Sequence, residues 1–227
     1  MKISRRYKAF LALFGFAILM RLFPFFLEYV AGVKTSPQVI QNSPESSWLS
    51  IAMLAKLYPW NFSPMYGLLL LAGATSRKKK HLLSIALLFP FLFQLAGDVG
   101  IGLITGHWEW AFYPSLPFVY LSLSLFIIMG LSLRQNRELT SVFSGGFMAA
   151  CGFFILSNFG VWALGGGTIY PLTPYGLVNC YAAAIPFFGN TILAVCVYIP
   201  LLFNPWVLRF IEEEKTLVPD TIAVATA

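Results

Sequence analysis

Arg21 and Asp98 are the two charged side chains set deep inside long apolar stretches of this chain. A charge near the centre of a bilayer costs about 2.5–3.5 kcal/mol on insertion scales, so it faces the interior of a helix bundle and marks a binding site or pathway. Carboxamides and an indole join them at comparable depths: Asn61, Gln94, Asn158, Trp162 and Asn179. These groups hold a solute by hydrogen bonds and charge. A guanidinium with several amides suits an anionic or amide-bearing solute, although Asp98 can neutralise the arginine. The expected substrate-binding set is therefore Arg21, Asn61, Gln94, Asp98, Asn158, Trp162 and Asn179. The alternative pairs Arg21 with Asp98 and makes the asparagines hydrogen-bonding glue between helices.

Catalytic constellations are missing. The sequence holds no H-E-x-x-H, no G-x-S-x-G and no P-loop. Asp98 is the one carboxylate set deep within a span, so a proton-coupled step would fall on it. His107 and Glu109 are too few for a metal site, and His81 adjoins a basic run. Cys151, Cys180 and Cys196 lack C-x-x-C spacing and read as buried thiols. The expectation is no enzyme, no catalytic residue, no metal and no cofactor. Active transport would need a partner or an ion gradient.

The elements that position these residues follow from composition. Of 227 residues, 58% are hydrophobic and 11% charged, against about 25% charged in soluble domains. Mean hydropathy is +0.75. These values exclude a soluble enzyme, a nucleic-acid-binding domain and a disordered chain. The net charge of +6 sits in short segments between apolar spans, which does not suit nucleic acid. An all-α polytopic membrane helical bundle is expected.

Six apolar stretches approach the roughly 20 residues a spanning helix needs: approximately 8–30, 62–76, 82–104, 114–133, 142–164 and 178–203. The second, at roughly 22 Å, is short. With an inside N-terminus, twelve of the 15 Lys and Arg residues fall inside, Lys34 and Lys56 fall outside, and Arg21 is within a span. That bias predicts six transmembrane helices with both termini cytoplasmic. Residues 1–207 form the transmembrane domain and 208–227 a cytoplasmic tail. Ser4-Arg5-Arg6-Tyr7 resembles a twin-arginine signal, but no cleavage site follows and an uncleaved first helix is expected.

The first outside loop, about 31–61, holds the apolar segment 48–60, flanked by Trp48 and Trp60. Too short to span, it predicts a short interfacial or re-entrant helix. Ser63-Pro64 has the form of an N-cap followed by proline at the first helical position. The loop 165–176, rich in Gly and Pro, is either a lid carrying Tyr170 and Tyr175 or a plain connection. Counting about 1.5 Å per residue, Arg21 lies roughly 18 Å and Asp98 roughly 24 Å above the inner edge. Asn158 reaches a similar height, and Asn61 and Asn179 enter near it. The polar residues thus gather in the outer half. In the last span Asn179, Ala183, Pro186 and Asn190 share one helical face, and Gly145, Gly146 and Gly152 allow close helix approach.

Several motifs carry a family resemblance: Asn61-Phe62-Ser63-Pro64, Gly73-Ala74, Gly97-Asp98, Pro117-Phe118-Val119-Tyr120, Ser157-Asn158-Phe159-Gly160-Val161-Trp162, Tyr170-Pro171-Leu172-Thr173, and Cys180-Tyr181 with Ala184-Ile185-Pro186-Phe187-Phe188. Over roughly 21–203 the chain resembles a family of small, uncharacterised bacterial integral membrane proteins with a domain of unknown function. At greater remove it is similar to the six-helix substrate-binding subunits of energy-coupling-factor vitamin transporters. Two departures stand out. Some 36 residues separate Arg21-Leu22-Phe23-Pro24 from the Asn61 motif, an insertion relative to shorter members. Ala9, Ala12 and Ala17 lack the A-x-x-x-A spacing with which vitamin-binding subunits dock their coupling subunit. The resemblance carries over Arg21, Asn61, Asp98, Asn158 and Trp162. It implies a multi-pass protein of the bacterial plasma (inner) membrane. Its expected role is a substrate-binding subunit or small-solute transporter with an outward pocket, vitamin-uptake-like. Its partners would be membrane lipids, a small-molecule ligand and a coupling subunit with ATPases, with no nucleic acid. The alternative is a structural or assembly subunit.

Overall fold

Leucines and small residues fill the segment after Pro64 without leaving a polar face, and a helix apolar all round belongs in an interior. In the computed structural model, which describes residues 5–29, 61–76, 82–167 and 169–209, that segment is the centre of the bundle. The described residues form helices α1 (Arg5–Tyr29), α2 (Met65–Thr75), α3 (Leu82–Thr105), α4 (Trp108–Ala111), α5 (Leu116–Ser132), α6 (Leu139–Leu164) and α7 (Pro174–Leu202). Residues 205–209 are also helical, with Asn204 Oδ1 accepting from the Val207 amide at 3.0 Å. No strand occurs among the described residues. The segment 48–60, the basic run 77–80 and the tail beyond 209 lie outside the described residues.

Ten of the eleven residues of α2 are buried. It packs chiefly on α5 and then on α7. α1 lies on α3, α3 also on α5, and α6 bridges α5 and α7. Leu68 to Leu71 are fully buried and join Phe126, Ile127, Val142, Ala150, Ala194 and Ile199 in one core. The α2–α5 crossing is backbone to backbone. A Cβ on Gly73 would strike the Ile127 carbonyl oxygen, and one on Gly130 the Leu70 carbonyl oxygen. Gly146 meets Ile199 Cδ1 and Gly152 meets Leu125 Cδ1 in the same manner, at 2.5 and 2.7 Å from where a Cβ would sit. Small residues here permit the close approach that helices in lipid use.

Three helical segments are long and apolar enough to cross a membrane by length and composition: Trp108–Ser132, Leu139–Leu164 and Pro174–Leu202. Their outward faces are apolar too, as Met148 (61% exposed), Ile155 and Ile185 show. Such continuous apolar exposure marks contact with something other than water. α1 and α3 have 25 and 24 residues. α2 differs from its expected range: 11 residues reach only about 16 Å. It starts late because Asn61 adopts φ 68° and Pro64 offers no N–H to extend the helix backwards. Ser63 Oγ accepts from the Met65 amide at 3.2 Å, but Pro64 rather than Ser63 stands at the N-cap and Met65 is the first helical residue. α7 starts earlier than 178 because Thr173 Oγ1 accepts from the Gly176 amide at 3.1 Å, with Pro174 opening the helix. α4 makes a single turn between α3 and α5.

The α2–α5 crossing gives a direct test. Gly130→Val should destabilise the protein by about 1–3 kcal/mol or more, because backbone rather than a movable side chain is in the way. It should melt well below the parent in detergent. Gly15→Ala, with nothing within 4 Å of the new methyl, should melt at or above the parent temperature. Equal behaviour of the two variants would contradict the close crossing.

Candidate functional site

Because α2 begins late, the helices beside it run past its N-terminal end. The space left there is a cavity of 440 Å³, lined from all seven helices and from Asn61, Phe62, Ser63 and Tyr113. Such a volume lies in the range of small-molecule sites. Ten of the 24 lining residues are aromatic, against 17% aromatic residues in the whole chain, so the walls are enriched in rings. Tyr66 is held between Phe126 and Phe153, with ring centroids 5.0 and 5.5 Å away. Phe154 packs on Phe188 at 4.7 Å.

One wall is polar. Arg21 of α1 reaches α3, where Gln94 and Asp98 stand one helical turn apart on the same face. Arg21 Nη1 donates to Gln94 Oε1 at 2.8 Å, and Nη2 donates to Asp98 Oδ1 in a salt bridge. Gln94 Nε2 donates to the same Asp98 oxygen at 3.1 Å. Tyr120 of α5 approaches Asp98 Oδ2 at 3.4 Å, a long contact. Asp98 is fully buried, while the Arg21 side chain keeps 26% of its surface exposed. The carboxylate thus lies behind the guanidinium. Arg21 Nε is buried without a hydrogen-bond partner, because it lies over Gly97: a Cβ there would sit 2.5 Å from Nε. Glycine at this position makes room for the arginine.

Four of the seven expected binding residues line the cavity: Arg21, Asn61, Gln94 and Asn158. Asp98 touches it only through Arg21 and Gln94. Trp162 and Asn179 do not line it. Trp162 Nε1 donates to the Pro171 carbonyl at 3.0 Å, because the loop after α6 turns back over the helix end through Gly166 and Gly167, both at positive φ. Asn179 lies more than a turn before the first α7 residue that faces the space. Neither Tyr170 nor Tyr175 lines the cavity, and Tyr175 is 73% exposed. The α7 face directed at the cavity is Ala184, Phe187, Phe188 and Thr191, next to the expected stripe of Asn179, Ala183, Pro186 and Asn190. Its i, i+3, i+4, i+7 spacing is legible in the sequence, but it carries no polar signal except Thr191. Sequence reasoning also missed Ser63, Tyr66, Tyr113 and Ser157.

The asparagine-glue alternative fits Asn158 poorly. Its Nδ2 donates to the Phe154 carbonyl of its own helix at 2.7 Å. Side-chain bonds between α6 and α7 come instead from Tyr181, whose hydroxyl donates to the Ile155 carbonyl at 2.9 Å, and from Cys180 Sγ, 3.4 Å from the Asn158 carbonyl. The Arg21–Asp98 pairing foreseen by that alternative is present. His107 Nδ1 meets Glu109 Oε1 at 2.8 Å, and no group of three or more potential metal ligands occurs among the described residues.

Removing one member of a buried pair leaves an uncompensated charge, which costs about 3–5 kcal/mol. Arg21→Met and Asp98→Leu should therefore each lower the melting temperature strongly, while the double variant regains most of the loss. Additive losses in that thermal double-mutant cycle would contradict the pairing.

None of the curated proteins and none of the solved structures matches the chain. A family model does match, over residues 1–216, and its description is Family of unknown function (DUF6580). That match covers nearly the whole chain, including every helix described above, and the chain belongs to this family of unknown function.

Proposed function

We propose that the chain is a multi-pass protein of the bacterial inner membrane that binds a small solute, as a substrate-binding subunit or a small-solute transporter. One observation carries the reading: the 440 Å³ cavity at the end of α2 combines ring-lined walls with the Arg21–Gln94 polar wall. Polar groups placed among apolar surfaces are what fix the orientation of a bound small molecule. The proposed topology has six crossings with both termini cytoplasmic. α1 and α3, at 25 and 24 residues, join the three long apolar segments. α2 is the half-length element, and its non-helical lead at 61–64 is tolerable at membrane depth because it lines a cavity. In this orientation, which follows the excess of basic residues on one side, the cavity opens outward. A coupling subunit with ATPases is the proposed energy source, in keeping with the likeness to vitamin-uptake subunits. Catalysis is not proposed.

A structural or assembly role is the second reading. It is favoured by the closure of Arg21, Gln94 and Asp98 on one another, which holds α1 to α3 without any ligand.

Native mass spectrometry of the full chain, released from its own membranes in lipid, separates the two. The binding reading predicts a small-molecule adduct on the wild type. It also predicts loss of that adduct in Ala184→Trp, whose indole would occupy the cavity, with the melting temperature retained. A wild type that is bare in several lipid compositions, with Ala184→Trp supporting growth and assembly as well as the parent, would favour the structural role.

A further inference from the structure

Resting on the binding reading above, the cavity also indicates the chemical class of its ligand. Formal charge is the first consideration. Among the described residues the charged group lining the space is Arg21, and Asp98 directly behind it cancels the charge. A charged solute would bring an uncompensated charge into this surrounding, which is strongly unfavourable. Arg21 is also partly committed: each Nη already makes one bond to α3, and Nε faces Gly97. The second hydrogen on each Nη is left to donate.

Hydrogen-bonding capacity is the second consideration. Ser157 Oγ donates to the Phe153 carbonyl at 2.6 Å, and Thr191 Oγ1 donates to the Phe187 carbonyl at 3.2 Å. Asn158 spends its Nδ2 on Phe154 in the same way. Ser157 and Thr191 have thus given their one hydroxyl hydrogen to their own helices, while Asn158 keeps a second amide hydrogen. Thr191 is also hydrogen-bonded to Tyr66, so the acceptors left on this side are Ser157 Oγ and Asn158 Oδ1. The α6–α7 side of the cavity therefore calls for a donor on the ligand, and the Arg21 side calls for an acceptor.

Shape is the third. Phe154 packs on Phe188 at 4.7 Å and Phe153 on Tyr66 at 5.5 Å, and Trp110 and Tyr113 also line the space. Rings stack offset or edge-on with other rings better than with saturated groups. We infer that the cavity takes an uncharged, planar aromatic ring carrying an N–H donor beside an acceptor, the donor meeting Asn158 and the acceptor meeting Arg21.

Equilibrium dialysis of the full chain in lipid nanodiscs tests this with five probes of similar size. Indazole is neutral, planar and has adjacent donor and acceptor nitrogens. 1-Methylindazole lacks the donor, benzoate and benzamidinium carry opposite charges, and cyclohexanol is neutral but not planar. Indazole should bind at least tenfold more tightly than each of the other four. Asn158→Leu should remove the preference over 1-methylindazole, and Ala184→Trp should remove binding of indazole. Benzoate or benzamidinium binding as well as indazole, lost in Ala184→Trp, would overturn the ligand class while leaving the binding reading intact. Cyclohexanol equal to indazole would do the same. If no probe binds the folded wild type, the ligand class falls, while the adduct in the native mass spectrum decides the binding reading separately. The wild-type comparisons stand even if Asn158→Leu does not fold.

Discussion

The cavity exists because α2 stops short. Its neighbours α6 and α7 have 26 and 29 residues, and α2 has 11. Two local features set that limit. Asn61 turns the chain in the left-handed region, where asparagine is one of the few residues to sit readily, and Pro64 cannot donate a helical hydrogen bond. The backbone contact at Gly73 and Gly130 then fixes how far α2 can slide along α5. With its height fixed and Ser63 accepting from its first amide, α2 leaves a space that its neighbours enclose. Every lining residue from α6 and α7 is a consequence of that missing length.

The charged wall depends on the same geometry. α1 touches α2 only lightly and lies mainly on α3, so Arg21 can cross to Gln94 and Asp98. The three side chains satisfy one another, which is how an ion pair survives away from water. A pair of this kind adds little net stability, but it holds α1 to α3 in one register and turns one edge of the guanidinium to the cavity. Gly97 completes the arrangement by leaving room for the arginine stem. The pair is thus structural on its buried side and available to a ligand on its exposed side, so the two readings weighed from the sequence describe two faces of one group.

How legible this was in the sequence varies by residue. Arg21, Gln94 and Asp98 stood out because polarity is rare in apolar stretches and the i,i+4 relation puts Gln94 beside Asp98. Asn61 and Asn158 stood out for the same reason, and both line the cavity. Trp162 and Asn179 carry the same signal but lie elsewhere: the fold of the loop at 165–173 claims the indole nitrogen, and no periodicity encodes that. The α7 face is the converse. Ala184, Phe187 and Phe188 look like any lipid-facing residues, and only the packing of α7 on α6 directs them inward. The long helices were legible from length and hydropathy. The shortness of α2 was only half legible, since Ser63-Pro64 announced a start but hydropathy ran on from Phe62.

An open, ring-lined cavity lies beyond α2, with Arg21 held on Asp98. A density map of the full chain in lipid, purified from its own membranes, tests this most directly. Arg21 should lie on Gln94 and Asp98, with non-protein density between that wall and Phe188. A bundle in which Phe154 and Phe188 close onto α2, or in which Arg21 leaves Asp98, would contradict it.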